Sequence, residues 1–230
     1  MNAIITGATK GIGRAIATLL AQKGFNIAVC ARTEADLLAM KESFDALYTV
    51  ETLVQQVDLS DKKAVKSFAK EVVKRWGKVD ILINNAGVFI PCALANPDNE
   101  DAFEKMMDLN LYSTYYMTQS VLPSMIEHQG GHIFNMCSIA SIMPYGAYAV
   151  SKHAMLGFSK VLREEVKEEG IRVTAIMPGA TYTASWEGTD LPKNRFMKAE
   201  DIAQSVFDIY QLSDCTVVEE IILRPQLGDI

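Results

Sequence analysis

Tyr148 and Lys152 stand four residues apart in Tyr148-Ala149-Val150-Ser151-Lys152. On a helix with 3.6 residues per turn this spacing sets both side chains on one face, where they can act on the same atom. Free tyrosine, with a pKa near 10, is a weak acid–base catalyst at neutral pH, and each unit of lowering needs about 1.4 kcal/mol of extra phenolate stabilisation. An adjacent ammonium supplies stabilisation of that kind, so the pair suits proton transfer to and from a substrate oxygen. Taken alone, YxxxK also describes a packed tyrosine beside a solvated lysine. Ser138 tips the balance toward chemistry. It follows the apolar run His132–Met136 at the strand edge where open α/β sheets gather ligands, and its hydroxyl could hold a substrate carbonyl.

A second group of residues suits a phosphate-bearing ligand. The run Ala3–Thr6 passes into Gly7-Ala8-Thr9-Lys10-Gly11-Ile12-Gly13 and then into a helical stretch, Arg14–Lys23. Glycine permits a tight turn, close approach of main chain to a pyrophosphate, and N–H groups presented at a helix N-terminus. After the second apolar run, where a carboxylate would favour ribose hydroxyls, the chain has Ala31 and then Arg32. With Lys10 on the same side, two cations could grip a 2′-phosphate by charge-assisted hydrogen bonds, although either one alone reads equally well as a solvated charge.

The turn has the spacing TGxxxGxG. Asn84-Asn85-Ala86-Gly87 follows the fourth apolar run, Asn110 stands in Asp108-Leu109-Asn110, and YxxxK lies downstream of Ser138. With these motifs in this order the chain resembles the short-chain dehydrogenase/reductase family over nearly its whole length. The resemblance implies an oxidoreductase that moves a hydride between NADP(H) and a carbonyl or secondary alcohol, through a tetrad of Asn110, Ser138, Tyr148 and Lys152. Tyr148 would protonate the carbonyl oxygen, Ser138 would hold it, and Lys152 would lower the tyrosine pKa while binding the nicotinamide ribose. Asn110 would position a water linking Lys152 to solvent. Cofactor contacts are implied for Gly7, Thr9, Lys10, Gly11, Ile12 and Gly13, for Arg32, and for Asn85, Ala86 and Gly87. They are also implied for Tyr148, Lys152 and, in a PGxxxT-like segment, Pro178, Gly179, Thr181 and Thr183. Asp58 and Leu59 would meet the adenine, with a helix N-cap as the other reading of Asp58. One departure is the loop 139–147 between Ser138 and Tyr148, which is shorter than usual for the family and contains Ser141 as a second candidate for the serine role.

These residues need a scaffold, and the pattern around them supplies one. Ala3–Thr6, Ile27–Cys30, Leu53–Val57, Val79–Ile83, His132–Met136, Arg172–Met177 and Val217–Leu223 are short apolar runs separated by helix-length segments. That alternation predicts an α/β fold: a Rossmann-like, doubly wound parallel sheet of about seven strands in a three-layer α/β/α arrangement. Asp101–Gln129 and Tyr148–Glu169 read as long helices, the second ending at Gly170. Residues 1–230 read as a single dinucleotide-binding and catalytic domain, with residues 179–198 as a substrate lid or a plain surface connection. Met143, Pro144, Tyr145, Tyr182, Trp186 and Phe196 would give an apolar, aromatic pocket, or would pack the loops onto the sheet.

Composition narrows the partners. A net charge of −6 over 230 residues disfavours nucleic acid or an anionic membrane and favours a small-molecule substrate. The N-terminus lacks a signal-peptide pattern and no apolar stretch approaches the roughly 18 residues of a membrane span, so a cytoplasmic location is expected. Cys30, Cys92, Cys137 and Cys215 are too scattered for a disulfide framework and read as reduced. His128, His132 and His153 lack metal-ligand spacing, so no metal is expected. Family resemblance implies a homo-oligomer, a tetramer or dimer, for which Met106, Leu109, Tyr116 and Leu156 could form a face or could instead pack on the sheet. Two other functions fit less well. A 3-oxoacyl-[acyl-carrier-protein] reductase should show a basic patch beside the site, and none is found. A non-catalytic NADP(H)-binding sensor would leave the tetrad unexplained.

Overall fold

The computed structural model describes residues 1–186 and 188–230. The apolar runs form seven strands: β1 (Asn2–Thr6), β2 (Asn26–Ala31), β3 (Thr52–Gln56), β4 (Ile81–Asn84), β5 (Gly131–Met136), β6 (Ile171–Pro178) and β7 (Glu220–Leu223). All pair in parallel in the order β3-β2-β1-β4-β5-β6-β7. The chain starts in mid-sheet, winds outward, and returns to wind the other way. Strand order therefore reverses between β1 and β4, which opens a crevice at their C-terminal ends.

The intervening helices are α1 (Gly11–Gln22), α2 (Glu34–Leu47), α3 (Lys62–Trp76), α4 (Glu100–Met107), α5 (Ser113–Glu127), α6 (Gly146–Val166) and α7 (Ala199–Tyr210). Successive strand residues point to opposite faces. On β2, Ile27 and Val29 join a core with Ile16 and Leu20 of α1, Leu37 and Met40 of α2, and Ile202 and Val206 of α7. Ala28 and Cys30 face the other way, toward Phe68 and Val72 of α3, Met117 and Val121 of α5, and Leu162 of α6. With both faces covered, a strand residue is apolar whichever way it points, which explains runs without alternation. Each such Ile or Leu contributes about 1.5–3 kcal/mol by leaving water.

Three elements depart from the sequence reading. The expected helix Asp101–Gln129 is split: Asp108–Tyr112 forms a wider π turn between α4 and α5. Helix α6 starts at Gly146 and tightens after Val166 into a 3-10 turn, Lys167–Glu169, before Gly170 turns the chain. The ladder of β7 takes in Glu220–Leu223, whereas Val217–Glu219 approaches β6 through single hydrogen bonds, from the Thr174 hydroxyl to Val218 O (2.6 Å) and from Ala175 N to Glu219 O (2.8 Å). Met106, Leu109 and Leu156 are buried within the chain, so the choice left open for them falls to internal packing. Tyr112, Tyr115, Ile126, Val150 and Val161 are exposed large apolar side chains on this stretch and on α6. Among the described residues, no helix is long and apolar enough to cross a membrane, no group of metal-ligating side chains is assembled, and the four cysteines are unpaired.

Candidate active site

The glycine-rich turn is stitched to the end of β4. The Thr6 hydroxyl accepts hydrogen bonds from Asn85 N and Ala86 N, each at 3.0 Å, while Asn85 Nδ2 donates to Thr6 O (2.9 Å) and Gly7 O (3.0 Å). A Cβ at position 13 would lie 2.5 Å from Asn85 Nδ2 and 2.8 Å from Gly7 O, so this close approach requires glycine. The asparagine expected to touch a cofactor therefore first shapes the turn that would hold one. Helix α1 then begins without a side-chain cap and without a carboxylate in its first turn. Its first N–H groups and the positive end of its dipole are left for an anion, which suits the phosphates of a dinucleotide.

Along the same edge Arg32 is exposed just past β2, its main-chain oxygen accepting from Gln56 Nε2 at 2.8 Å. Lys10 is exposed, and its Nζ lies 3.1 Å from Asp36 Oδ2 in a surface ion pair. Asp58 does not cap a helix either. It accepts from Ser60 N (3.0 Å) and Ser60 Oγ (2.8 Å), bonds that hold its carboxyl below the usual range, while Asp61 caps α3. Leu59 is buried in the core, which leaves its main chain for any ligand contact.

Beyond the turn lies a cavity of about 610 Å³. Ser138, Tyr148 and Lys152 all line it, together with Lys10, Gly11, Ile12, Asn85 and Gly87 on one side and Pro178, Gly179, Thr181 and Thr183 on another. Gly7, Thr9, Gly13, Ala86, Arg32, Asp58, Leu59 and Asn110 are not in its wall. Ser138 Oγ accepts from Ala140 N at 3.1 Å, capping the 3-10 turn Ile139–Ser141, and its own hydrogen remains available to donate. Ser141 is almost fully buried, its Oγ accepting from Ser138 N at 3.3 Å, and it does not reach the cavity. The end of the short loop meets the segment after β4, with Ala147 N donating to Cys92 O at 3.1 Å; at Gly146, with φ 56°, an added Cβ would lie 2.6 Å from the same oxygen.

Lys152 is 4% exposed, with Nζ 2.8 Å from Met136 O and 5.8 Å from the centre of the Tyr148 ring. An ammonium has three donors, and Met136 O takes one, so further acceptors can be met from the cavity. Asn110 is fully buried: its Oδ1 accepts from Val88 N (2.7 Å), and its Nδ2 donates to Val88 O (3.0 Å) and Ser151 Oγ (2.9 Å). The π turn carries it there, as such turns do at functional sites. Cys137 also lines the cavity, its thiol pushed up by burial against the opposing charge of Lys152.

Several lining residues escaped the sequence reading. Phe89 packs edge-on to the Tyr148 ring, with centres 5.0 Å apart, and Asp229 and Ile230 reach back from beyond β7. Asp229 is fixed by Arg224, whose Nε lies 3.1 Å from Oδ1. A pair of distant segments gives no local signal of contact. Of the expected aromatic residues, Tyr145 and Trp186 line the cavity. Phe196 instead packs between Tyr182 (5.6 Å) and Trp186 (4.9 Å) inside the 179–198 segment, whose base is tied by Tyr182 N to Met197 O (2.9 Å) and Met197 N to Ala180 O (3.0 Å).

A sequence profile described as short chain dehydrogenase matches residues 1–193. Sepiapterin reductase from Chlorobaculum tepidum is 36% identical over 238 aligned positions, covering 99% of this chain and 97% of that protein. Among solved structures, an alcohol dehydrogenase from Thermococcus sibiricus in complex with 5-hydroxy-NADP superposes with a TM-score of 0.90 at 29% identity, covering 100% of this chain and 98% of the other. L-sorbose reductase from Gluconobacter frateurii, bound to NADPH and L-sorbose, gives 0.89 at 26% identity, covering 97% and 95%.

Proposed function

The chain belongs to the short-chain dehydrogenase family, and from that premise we propose that it is an NADP(H)-dependent oxidoreductase that reduces a carbonyl or oxidises a secondary alcohol. One observation carries the reading: Ser138, Tyr148 and Lys152 line the same cavity as the glycine-rich turn and Lys10. The bound nicotinamide would supply or accept the hydride. The Tyr148 hydroxyl delivers a proton to the substrate oxygen in reduction and is left as a phenolate, and in oxidation that phenolate takes the proton back. Ser138, with its lone pair engaged by Ala140 N and its hydrogen free, holds that oxygen. Lys152 places a cation beside the phenol and offers its remaining donors to the ribose. Asn110 keeps the Val88 main chain in place beside the site, which leaves its main-chain carbonyl, rather than its amide, to organise a water.

Arg32 and Lys10 would hold the 2′-phosphate, with Asp58 and the Leu59 main chain at the adenine and the segment from Pro178 to Thr183 over the nicotinamide. Crystallised relatives carrying NADPH or an NADP derivative support the choice of cofactor. Residues 1–230 act as one unit, and 179–198 serves as its lid, with Trp186 and Tyr145 facing a flat, largely apolar substrate. The protein assembles as a dimer or tetramer. The test is NADPH oxidation by purified protein against ketones, aldehydes, 3-oxoacyl thioesters, keto acids and sepiapterin, with NADH in parallel. Turnover with NADPH preference is expected for one group. Tight NADPH binding without turnover of any of them would transfer the weight to a cofactor sensor.

A further inference from the structure

The ion pair of Lys10 and Asp36 falls where the 2′-phosphate of the proposed cofactor would be gripped. Its two members come from different elements. Lys10 ends the glycine-rich turn and lines the cavity, and Asp36 stands in the first turn of α2, four residues after Arg32. The Asp36 side chain retains 32% of its exposure against 67% for Lys10, so the carboxylate leans onto the turn and the lysine comes to it from solvent. Among the described residues Arg32 makes no ion pair, although the Asp58 carboxylate is near enough to be stabilised by its charge.

A 2′-phosphate carries about −1.5 to −2 charges at neutral pH. On arrival it meets Arg32, a lysine already paired, and a carboxylate of its own sign. To engage Lys10 it must displace Asp36, and while Asp36 stays near it works against the phosphate. A cofactor without that phosphate meets neither effect.

We propose that Asp36 is a cofactor-specificity residue acting against Arg32: by holding Lys10 and placing a negative charge beside the phosphate pocket, it limits the preference for NADP(H) over NAD(H). The inference rests on the NADP(H) reading above. Moderated affinity also favours cofactor release, a step that limits turnover in many enzymes.

The test is calorimetric titration of NADPH and NADH, without substrate, into the wild type and into Asp36→Asn, Lys10→Gln, the double variant and Arg32→Asp. Freed from an exposed pair, Lys10 should tighten NADPH binding in Asp36→Asn by about fivefold. NADH affinity should stay within about twofold, the usual effect of a surface substitution. The gain should shrink in the Lys10→Gln background. Unchanged NADPH affinity, or equal tightening of both cofactors, overturns the role of Asp36. The NADP(H) reading is judged separately: a wild type binding NADH as tightly as NADPH, with Arg32→Asp weakening both alike, overturns that reading, whereas the Asp36 inference is decided by the change in the ratio.

Discussion

The phenol of Tyr148 has a cation on one side and an aromatic edge on the other, Lys152 Nζ 5.8 Å from its ring centre and Phe89 at 5.0 Å. Replacing it by phenylalanine keeps the ring packing and deletes the transferable proton. Tyr148→Phe should therefore lower kcat by roughly 10²–10⁴, the usual worth of a positioned acid–base group, and leave NADPH affinity nearly unchanged. Retained turnover in a stopped-flow assay would mean that another group carries the proton. A second residue matters for stability. His132 is fully buried, stacked on Phe134, with Nε2 2.8 Å from Thr174 Oγ1. Since Thr174 donates its own hydrogen to Val218 O at 2.6 Å, the imidazole must donate through Nε2, and its Nδ1 is left bare and without a partner. Burial pushes its pKa down to about 2, from the ordinary 6.5. Above pH 6.5 the group is neutral folded or unfolded; below it the unfolded chain gains a proton that the folded chain refuses, so stability falls by about 1.4 kcal/mol per pH unit from this residue. Urea midpoints should drop between pH 7 and pH 5, and His132→Gln should flatten that drop. An equally steep fall in the variant would place the proton elsewhere.

At the level of elements, the site depends on two local irregularities. The π turn Asp108–Tyr112 points Asn110 into the chain, where its amide satisfies both polar groups of Val88. Asn110→Leu would bury those groups without partners, at about 1–3 kcal/mol each, so a loss of around 3 kcal/mol in denaturant unfolding is expected along with lower turnover. A variant as stable as the wild type would show that the Val88 segment finds other partners. The second irregularity is the loop 139–147, which Gly146 closes against Cys92 O. That contact joins the start of α6 to the segment after β4, where Ala147 N donates to Cys92 O at 3.1 Å. The motifs on either side were legible because they are local patterns. The π turn was not, since the stretch from Asp101 to Gln129 reads as one helix and the partner that Asn110 meets, Val88, belongs to a separate segment.

For the whole molecule, the order of the sheet does what no single motif can. The reversal between β1 and β4 brings the glycine-rich turn, the Asn85 segment and Ser138 to one edge, and parallel pairing guarantees that each strand delivers its following loop to that edge. The far wall is built by residues between Gly179 and Trp186 and by Asp229, and Arg195 donates to Leu227 O at 3.4 Å. Exposed Tyr112, Tyr115, Val150 and Val161 lie on the helices through which the proposed assembly would form. Sedimentation at micromolar concentration should then give a dimer or tetramer, and Val161→Glu should shift it toward the monomer through the cost of burying an unpaired charge. A wild-type monomer would remove assembly from the account.

By itself the sequence determined the seven strands and their burial on both faces and singled out candidate residues for the chemistry, because hydrophobic runs, glycine turns and helix spacing are properties of neighbouring residues. It left Lys10 open as a solvated charge, Asp58 as a helix cap, Phe196 as a pocket residue, and Met106, Leu109 and Leu156 as an interface. Those readings were decided by tertiary structure: Asp36 reaches across to Lys10, Asp61 does the capping, Phe196 packs between Tyr182 and Trp186, and the three apolar side chains are consumed by the core. What a charged or apolar side chain does depends on the partner that folding brings within a few ångströms, and that partner is set by the path of the chain in space.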